Sequence, residues 1–369
     1  MNRRNKIIIL MLVILVVMGV ATQVFMSSSS IETDGSKNIT DMANRTVTIP
    51  NDVGSVISTS PSMTMVAYMV SPDKVKALNN QWSENESQYV PSKYSDLPAV
   101  GGWYGKQDGS YEEFIAAKPD IILESTFDKQ GNADLGVINE RQEKMGSIPV
   151  VAVGDTSNLT TIDKPISFVG ELLGASDKAK QLIDFNNKYM NTAKEKSSKL
   201  SDDNKKTVYY ANGPDGLKTY PSGISHSQLI DYVGGKNVAD SLNQTNASSG
   251  VQVSIEQIIK WDPDVIITND IDFYNSVYNN SNWALLKAVK NKEVYVTPQF
   301  PFKWFDNPVG ANMIMGLPWA AKVIYPEEYK DLNLVNTTKE FYSNFYHFDL
   351  TDNQAKEILT DSGIKESNL

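Results

Sequence analysis

The chain has 369 residues, 41% of them apolar and 21% charged, with a net charge of −10 and no cysteine. That length exceeds what one hydrophobic core usually organises, so two lobes are expected. The acidic balance excludes a nucleic-acid binder, which needs a basic surface. The lack of cysteine excludes disulfides, thiolate metal sites, a Cys nucleophile and a lipid-modified cysteine.

Residues 1–26 read as a signal peptide or an N-terminal membrane anchor. Arg3, Arg4 and Lys6 precede an apolar run from Ile7 to Ala21 that is broken only by Gly19, between the length of a signal h-region and that of a full span. The rest of the chain is then expected outside the cytoplasm, tethered or released. Residues 27–37 form a Ser-rich polar spacer. Asn38, Asn44, Asn85, Asn158, Asn243, Asn246, Asn279 and Asn336 head sequons, which an Asn-rich chain generates by chance or an exported one uses for glycosylation.

An N-terminal lobe is expected over 38–160. Strands at Arg45–Ile49 and Val53–Thr59 lead to Ser60-Pro61-Ser62, which opens an apolar helix from Met63 to Val70. A short strand, Lys74–Leu78, is followed by a loop holding Trp82 and then by Gly101-Gly-Trp-Tyr-Gly105. Next come a helix over Tyr111–Ala117, the breaker Lys118-Pro119-Asp120 and a strand at Ile121–Leu123. Leu135–Met145 reads as a helix and Pro149–Val153 as a strand; short apolar strands alternating with helices imply a parallel sheet.

Residues 161–200 form a helical connection. After a helix closed by Gly174, a long one runs from Ser176, its expected cap, to Leu200, with Ala179, Leu182, Phe185, Tyr189 and Ala193 as an apolar stripe. At ~1.5 Å per residue it spans roughly 37 Å, enough to bridge two lobes. The βα rhythm resumes in a C-terminal lobe over 201–330. There Ser254-Ile-Glu256 through Pro263-Asp264-Val-Ile-Ile aligns without a gap on Ser110-Tyr-Glu112 through Pro119-Asp120-Ile-Ile-Leu. A C-terminal helical tail, 331–369, carries an aromatic stripe and Thr351 and Gln354 at capping-box spacing; it is expected to cover a lobe. The fold class predicted is α/β: two Rossmann-like lobes with parallel sheets, joined by a single long rigid helix, with a ligand cleft between them.

The chemistry points away from an enzyme. His226 and His347 are the only histidines, so there is no multi-histidine metal site, and no nucleophile elbow or P-loop spacing occurs. Ligands of open α/β sheets sit outside the carboxyl ends of the strands. The loops expected there carry Trp82, Trp103, Tyr104, Phe127, Asn212, Asp270, Phe302, Trp304 and Phe305, each able to face a ligand or to pack on its own lobe.

Asp41 to Pro50, Val56 to Ser62, the twin Pro-Asp units, the single bridging helix and His226 to Gly235 together resemble the iron-siderophore and cobalamin class of periplasmic substrate-binding proteins of ABC importers. The resemblance covers roughly Asn38 to Glu327. It implies lobes that close only slightly on a metal chelate, no intrinsic cofactor, and partnership of a monomer with an importer's permease dimer and ATPase. It also implies that Glu112 and Glu256 dock to the permease, although acids in a first helical turn also simply favour the helix dipole. His226 becomes a candidate donor to the chelated metal; the plainer role is a hydrogen bond to a loop. Arg45 and Arg141 are the only arginines after Arg3 and Arg4, which disfavours strongly anionic chelates. An iron-siderophore complex is the first expectation, with cobalamin, haem or a nickel or other metal complex as alternatives, and a non-transport surface receptor on the same fold as the runner-up.

Overall fold

A computed structural model of the chain describes residues 35–128, 131–244 and 247–369; the expected signal or anchor segment lies outside them. Among the described residues no helix is long and apolar enough to cross a membrane. The fold opens with an antiparallel hairpin, β1 (Ser36–Thr40) and β2 (Thr46–Pro50). It continues with β3 (Val56–Ser58), α1 (Pro61–Val70), α2 (Tyr111–Ala117), β4 (Ile121–Glu124), α3 (Leu135–Met145) and β5 (Val150–Ala152). Then α4 (Asp163–Leu172) and α5 (Ser176–Ser197) lead to β6 (Thr207–Ala211), α6 (Gln228–Tyr232), β7 (Lys236–Asn237), α7 (Ile255–Trp261) and β8 (Val265–Thr268). The chain closes with α8 (Ile271–Val277), β9 (Val294–Val296), α9 (Met313–Ile324), α10 (Leu334–Phe341) and α11 (Asp352–Asp361).

The two larger sheets are parallel and have the same layout. The first runs β3-β4-β5, with Val75 bridging Val56 on the open side of β3. The second runs β7-β6-β8-β9. The strand that follows each Pro-Asp unit, β4 or β8, is therefore central to its sheet.

The repeated residues do the same physical work in each lobe. Lys118 and Asp262 end α2 and α7 in the left-handed region, at φ 49° and 42°, and the following prolines prevent the helices from continuing. The carboxylate of Asp120 then accepts from the Gly54 and Ser55 amides at 2.8 Å each. That of Asp264 accepts from the Thr207 amide and hydroxyl at 2.8 Å each. Each aspartate thus laces the start of the central strand to the start of its neighbour.

The outer face of each sheet has its own core. Phe114, Ile138 and Met145 pack on Ile122, Val150 and Ala152; Ile258, Phe273 and Val277 pack on Tyr209, Ile266 and Val294. The inner faces instead share one continuous core with α1, α4, α5 and α9. The bridging helix α5 has 22 residues, about 33 Å of rod. Its predicted stripe is buried throughout. Ser176 is its first residue and not its cap; Ala175 holds that position, without a side-chain cap bond.

The tail does more than cover one lobe. The Thr351–Gln354 capping box forms as expected. On the rod, Tyr189 shares a 3.1 Å hydroxyl contact with Thr337. In the N-terminal lobe the Tyr68 hydroxyl donates to the Tyr346 carbonyl at 3.0 Å, and in the C-terminal lobe the Val296 amide donates to the Ser362 carbonyl at 3.1 Å. The tail therefore fastens both lobes to the rod, through α1 in the first and β9 in the second.

Candidate ligand-binding site

The carboxyl edge of the second sheet gathers polar side chains from four segments. Tyr210 near the end of β6 donates to Asp306 Oδ1 at 2.5 Å, and Asn269, just after β8, donates to the same oxygen at 2.6 Å. Burial, and then the negative charge of Asp306, push the Tyr210 phenol well above its ordinary pKa, so it remains a donor. The other oxygen of Asp306 lies 2.8 Å from His226 Nδ1. Because a carboxylate oxygen accepts, Nδ1 supplies the proton of this contact, and in the neutral imidazole Nε2 is then the nitrogen with the free lone pair. His226 is stacked on Tyr220, 4.4 Å between centroids, and its side chain is 23% exposed. Asn212 lies beside the Tyr210 hydroxyl, and Lys303 donates to the Asn269 carbonyl at 3.1 Å.

The facing side mixes aromatic and aliphatic walls with amide side chains. A cavity of about 180 Å³ lies between the first lobe and the 302–308 loop, with Met65, Tyr68, Asn80, Trp82, Phe302 and Pro308 among its walls. Trp82 and Phe302 come from opposite lobes, yet their rings are 5.4 Å apart. Trp82 Nε1 donates to the Tyr94 carbonyl at 3.1 Å, which fixes the indole and leaves its faces for packing. Tyr104 reaches the same place through its hydroxyl, 2.7 Å from Asn80 Oδ1.

The other predicted residues divide. Trp103 is half-buried against its own lobe, 4.7 Å from Tyr111 and over the Arg141 guanidinium at 3.9 Å. Phe127 is half-buried in the loop after β4, bridged to Ala133. Asp270 caps α8, accepting from the Phe273 amide at 3.0 Å. Trp304 and Phe305 are corrections: both are 0% exposed and belong to the core. The loop turns them inward, Trp304 towards Tyr342 and Phe305 to 4.7 Å from Tyr210. Sequence reasoning missed Asp306, Asn269 and Tyr210. The one available signal was an acid closing an aromatic run, since a carboxylate among rings needs a partner.

The family model described as periplasmic binding protein matches residues 56–300. The chain belongs to that family. It is a class III periplasmic binding protein of ABC importers, not an enzyme, and proteins of this family carry no intrinsic cofactor; they work with a membrane permease and its ATPase. It is 27% identical over 296 residues to the "Uncharacterized ABC transporter substrate-binding lipoprotein YvrC" of Bacillus subtilis, covering 79% of this chain and 87% of that one. It is 24% identical over 343 residues to "Molybdate-binding protein MolA" of Haemophilus influenzae, covering 87% and 94%. Among solved structures, an ABC transporter solute binding protein from Sulfurospirillum deleyianum superposes with a TM-score of 0.77 at 26% identity, over 88% of this chain and 99% of that one. YvrC is named a lipoprotein, whereas this periplasmic binding protein has no cysteine to carry a lipid.

Glu112 and Glu256 occupy matching places in this periplasmic binding protein. Each is exposed in the first turn of its helix, α2 or α7, behind a serine cap whose hydroxyl accepts an amide at 3.3 Å. Each carboxyl is held below the usual range by its own backbone N–H and then by the cap serine, Ser110 or Ser254. Two matched, ionised, solvent-facing carboxylates result.

Proposed function

We propose that this binding protein captures a metal complex in its cleft outside the cytoplasm and, as a monomer, delivers it to an ABC importer. An iron-siderophore complex is the first ligand class, ahead of cobalamin, haem and nickel complexes. The observation that carries the reading is His226 held through Nδ1 by buried Asp306, since a carboxylate behind an imidazole fixes the ring and raises its basicity towards a metal at Nε2. Among the described residues no group of three His, Asp or Glu side chains is placed to hold a metal, and one imidazole is insufficient alone. The metal therefore arrives with most of its ligands. The Trp82 and Phe302 walls suit the organic part of a chelate.

Titration by tryptophan fluorescence with a tetradentate ferric chelate, a hexadentate ferric chelate, cobalamin, haem, nickel–histidine and molybdate tests this. His226→Ala should weaken the complex that keeps open coordination positions by about 10–100-fold and leave a saturated chelate unaffected. Unchanged affinity for every complex would remove the metal-donor role. An oxyanion is the second reading, favoured by the Ser60 hydroxyl at the head of α1, 3.4 Å from that of Ser62 and 3.3 Å from that of Ser125, and by the name of the Haemophilus relative. Tight molybdate binding that survives His226→Ala would establish it.

Glu112 and Glu256 are the docking acids in this reading, one per lobe, because matched exposed charges orient two partners. The Glu112→Ala/Glu256→Ala double variant should lose transport while its ligand affinity stays that of the parent. Uptake assays paired with the fluorescence titration check it, and full transport by the double variant would refute docking.

A further inference from the structure

We propose that Leu135 and Ile271 are a matched pair of apolar contacts for the importer's permease, one in each lobe beside its docking acid. The proposal rests on the docking reading above and adds the apolar half of that interface.

The two residues hold equivalent places. Leu135 is the first residue of α3 and Ile271 the first of α8, and each helix follows the central strand of its sheet. Each is preceded by an aspartate cap: Asp134 accepts from the Val137 amide at 3.1 Å, Asp270 from the Phe273 amide at 3.0 Å. The caps fix the helix starts and leave the first side chains outside, 48% and 46% exposed. Single exposed apolar residues are ordinary. Two branched aliphatics at the same topological position of two lobes are not explained by that background.

The acids and the aliphatics also share an edge. Helices α2 and α3 pack on one face of the first sheet, and both run against its strands, so Glu112 and Leu135 emerge together at the carboxyl edge. Helices α7 and α8 repeat this for Glu256 and Ile271 on the second sheet. Ile271 also borders a hollow of about 170 Å³ with Pro298, Phe300 and Ile358, room for a partner side chain. Each lobe thus presents a carboxylate for steering and orientation and an aliphatic group whose desolvation lengthens residence. A monomer with two such equivalent patches fits a permease built of two equivalent subunits.

The ligand-free protein is titrated onto the cognate permease–ATPase complex in nanodiscs. Leu135→Asp/Ile271→Asp should bind about tenfold or more weakly, with an unchanged thermal midpoint because both side chains are exposed. Leu285→Asp is the control: that residue is 54% exposed, in the C-terminal lobe, and starts no helix after a central strand. It should bind like the parent. If Glu112→Ala/Glu256→Ala loses binding while Leu135→Asp/Ile271→Asp keeps it, the apolar pair is overturned and docking by the acids stands. If neither double variant changes binding, both readings fall. Equal weakening by Leu285→Asp, or loss of self-association instead of permease binding on sedimentation of Leu135→Asp/Ile271→Asp, would also overturn the proposal.

Discussion

Arg141→Ala should lower the unfolding free energy by about 3–5 kcal/mol, the usual cost of leaving one charge of a buried ion pair without its partner. Glu124 at the end of β4 and Arg141 on α3 pair with side chains 1% and 8% exposed. Thr126 donates to Glu124 at 2.5 Å, and Arg141 donates to the Tyr111 hydroxyl at 3.3 Å. Removing the guanidinium strands the carboxylate and takes away the surface on which Trp103 lies. Arg141→Met combined with Glu124→Leu should recover most of the loss, because a buried pair replaced by apolar groups of similar volume is often neutral. Urea unfolding measures both, with the m-value showing whether the transition stays comparable. A single-variant loss below about 1 kcal/mol would mean that water reaches the pair, as for surface bridges.

Gly316→Ala should be destabilising by about 3 kcal/mol, at the upper end of ordinary overpacking, against the usual sign for a helical glycine. Alanine inside a helix normally gains about 0.5–1 kcal/mol over glycine. Gly316 lies in α9 and is buried, and a Cβ there would overlap the Trp304 carbonyl and come within 2.8 Å of Leu229 Cδ1. A backbone carbonyl cannot swing aside as a side chain can, so the segment from Phe302 to Asp306 would have to shift. That segment carries one wall of the cavity and the carboxylate behind His226, and the variant should therefore also bind ligand more weakly. Thermal unfolding and the fluorescence titration check the two effects; parent-like stability would show that the helix and loop have slack.

Much of the architecture is legible because its causes are local. The Lys118-Pro119-Asp120 and Asp262-Pro263-Asp264 breakers act through fixed φ, a left-handed cap and a carboxylate one strand away. The stripe on α5 is read from spacing alone, and all of Ala179, Leu182, Phe185, Tyr189 and Ala193 are buried. Cap geometry is less legible. Ser60 heads α1 and makes no side-chain cap bond, and Ala175 takes the place expected of Ser176.

The candidate site divides along the same line. Trp82, Phe302 and His226 are recognisable as a ring or an imidazole in a polar loop. Trp304 and Phe305 sit in the same aromatic loop and go to the core, since their surroundings come from Tyr342, Tyr210 and Trp319. No local periodicity distinguishes them from Phe302. The tail is a second case: its capping box is visible, but its attachment to both lobes depends on Tyr346 meeting Tyr68 and Ser362 meeting Val296.

By itself the sequence determined the βα order, the duplicated Pro-Asp unit, the rod and the acids at matching positions, because periodicity, prolines and caps act over a few residues. Only the tertiary structure decided which loop aromatics line the cavity and which join the core, that the inner faces of both lobes share one core, and that Asp306 stands behind His226. Those outcomes rest on contacts between segments far apart in the chain, such as His226 with Asp306 and Trp82 with Phe302. The free energy of burying a ring or pairing a carboxylate depends on what the folded chain brings beside it.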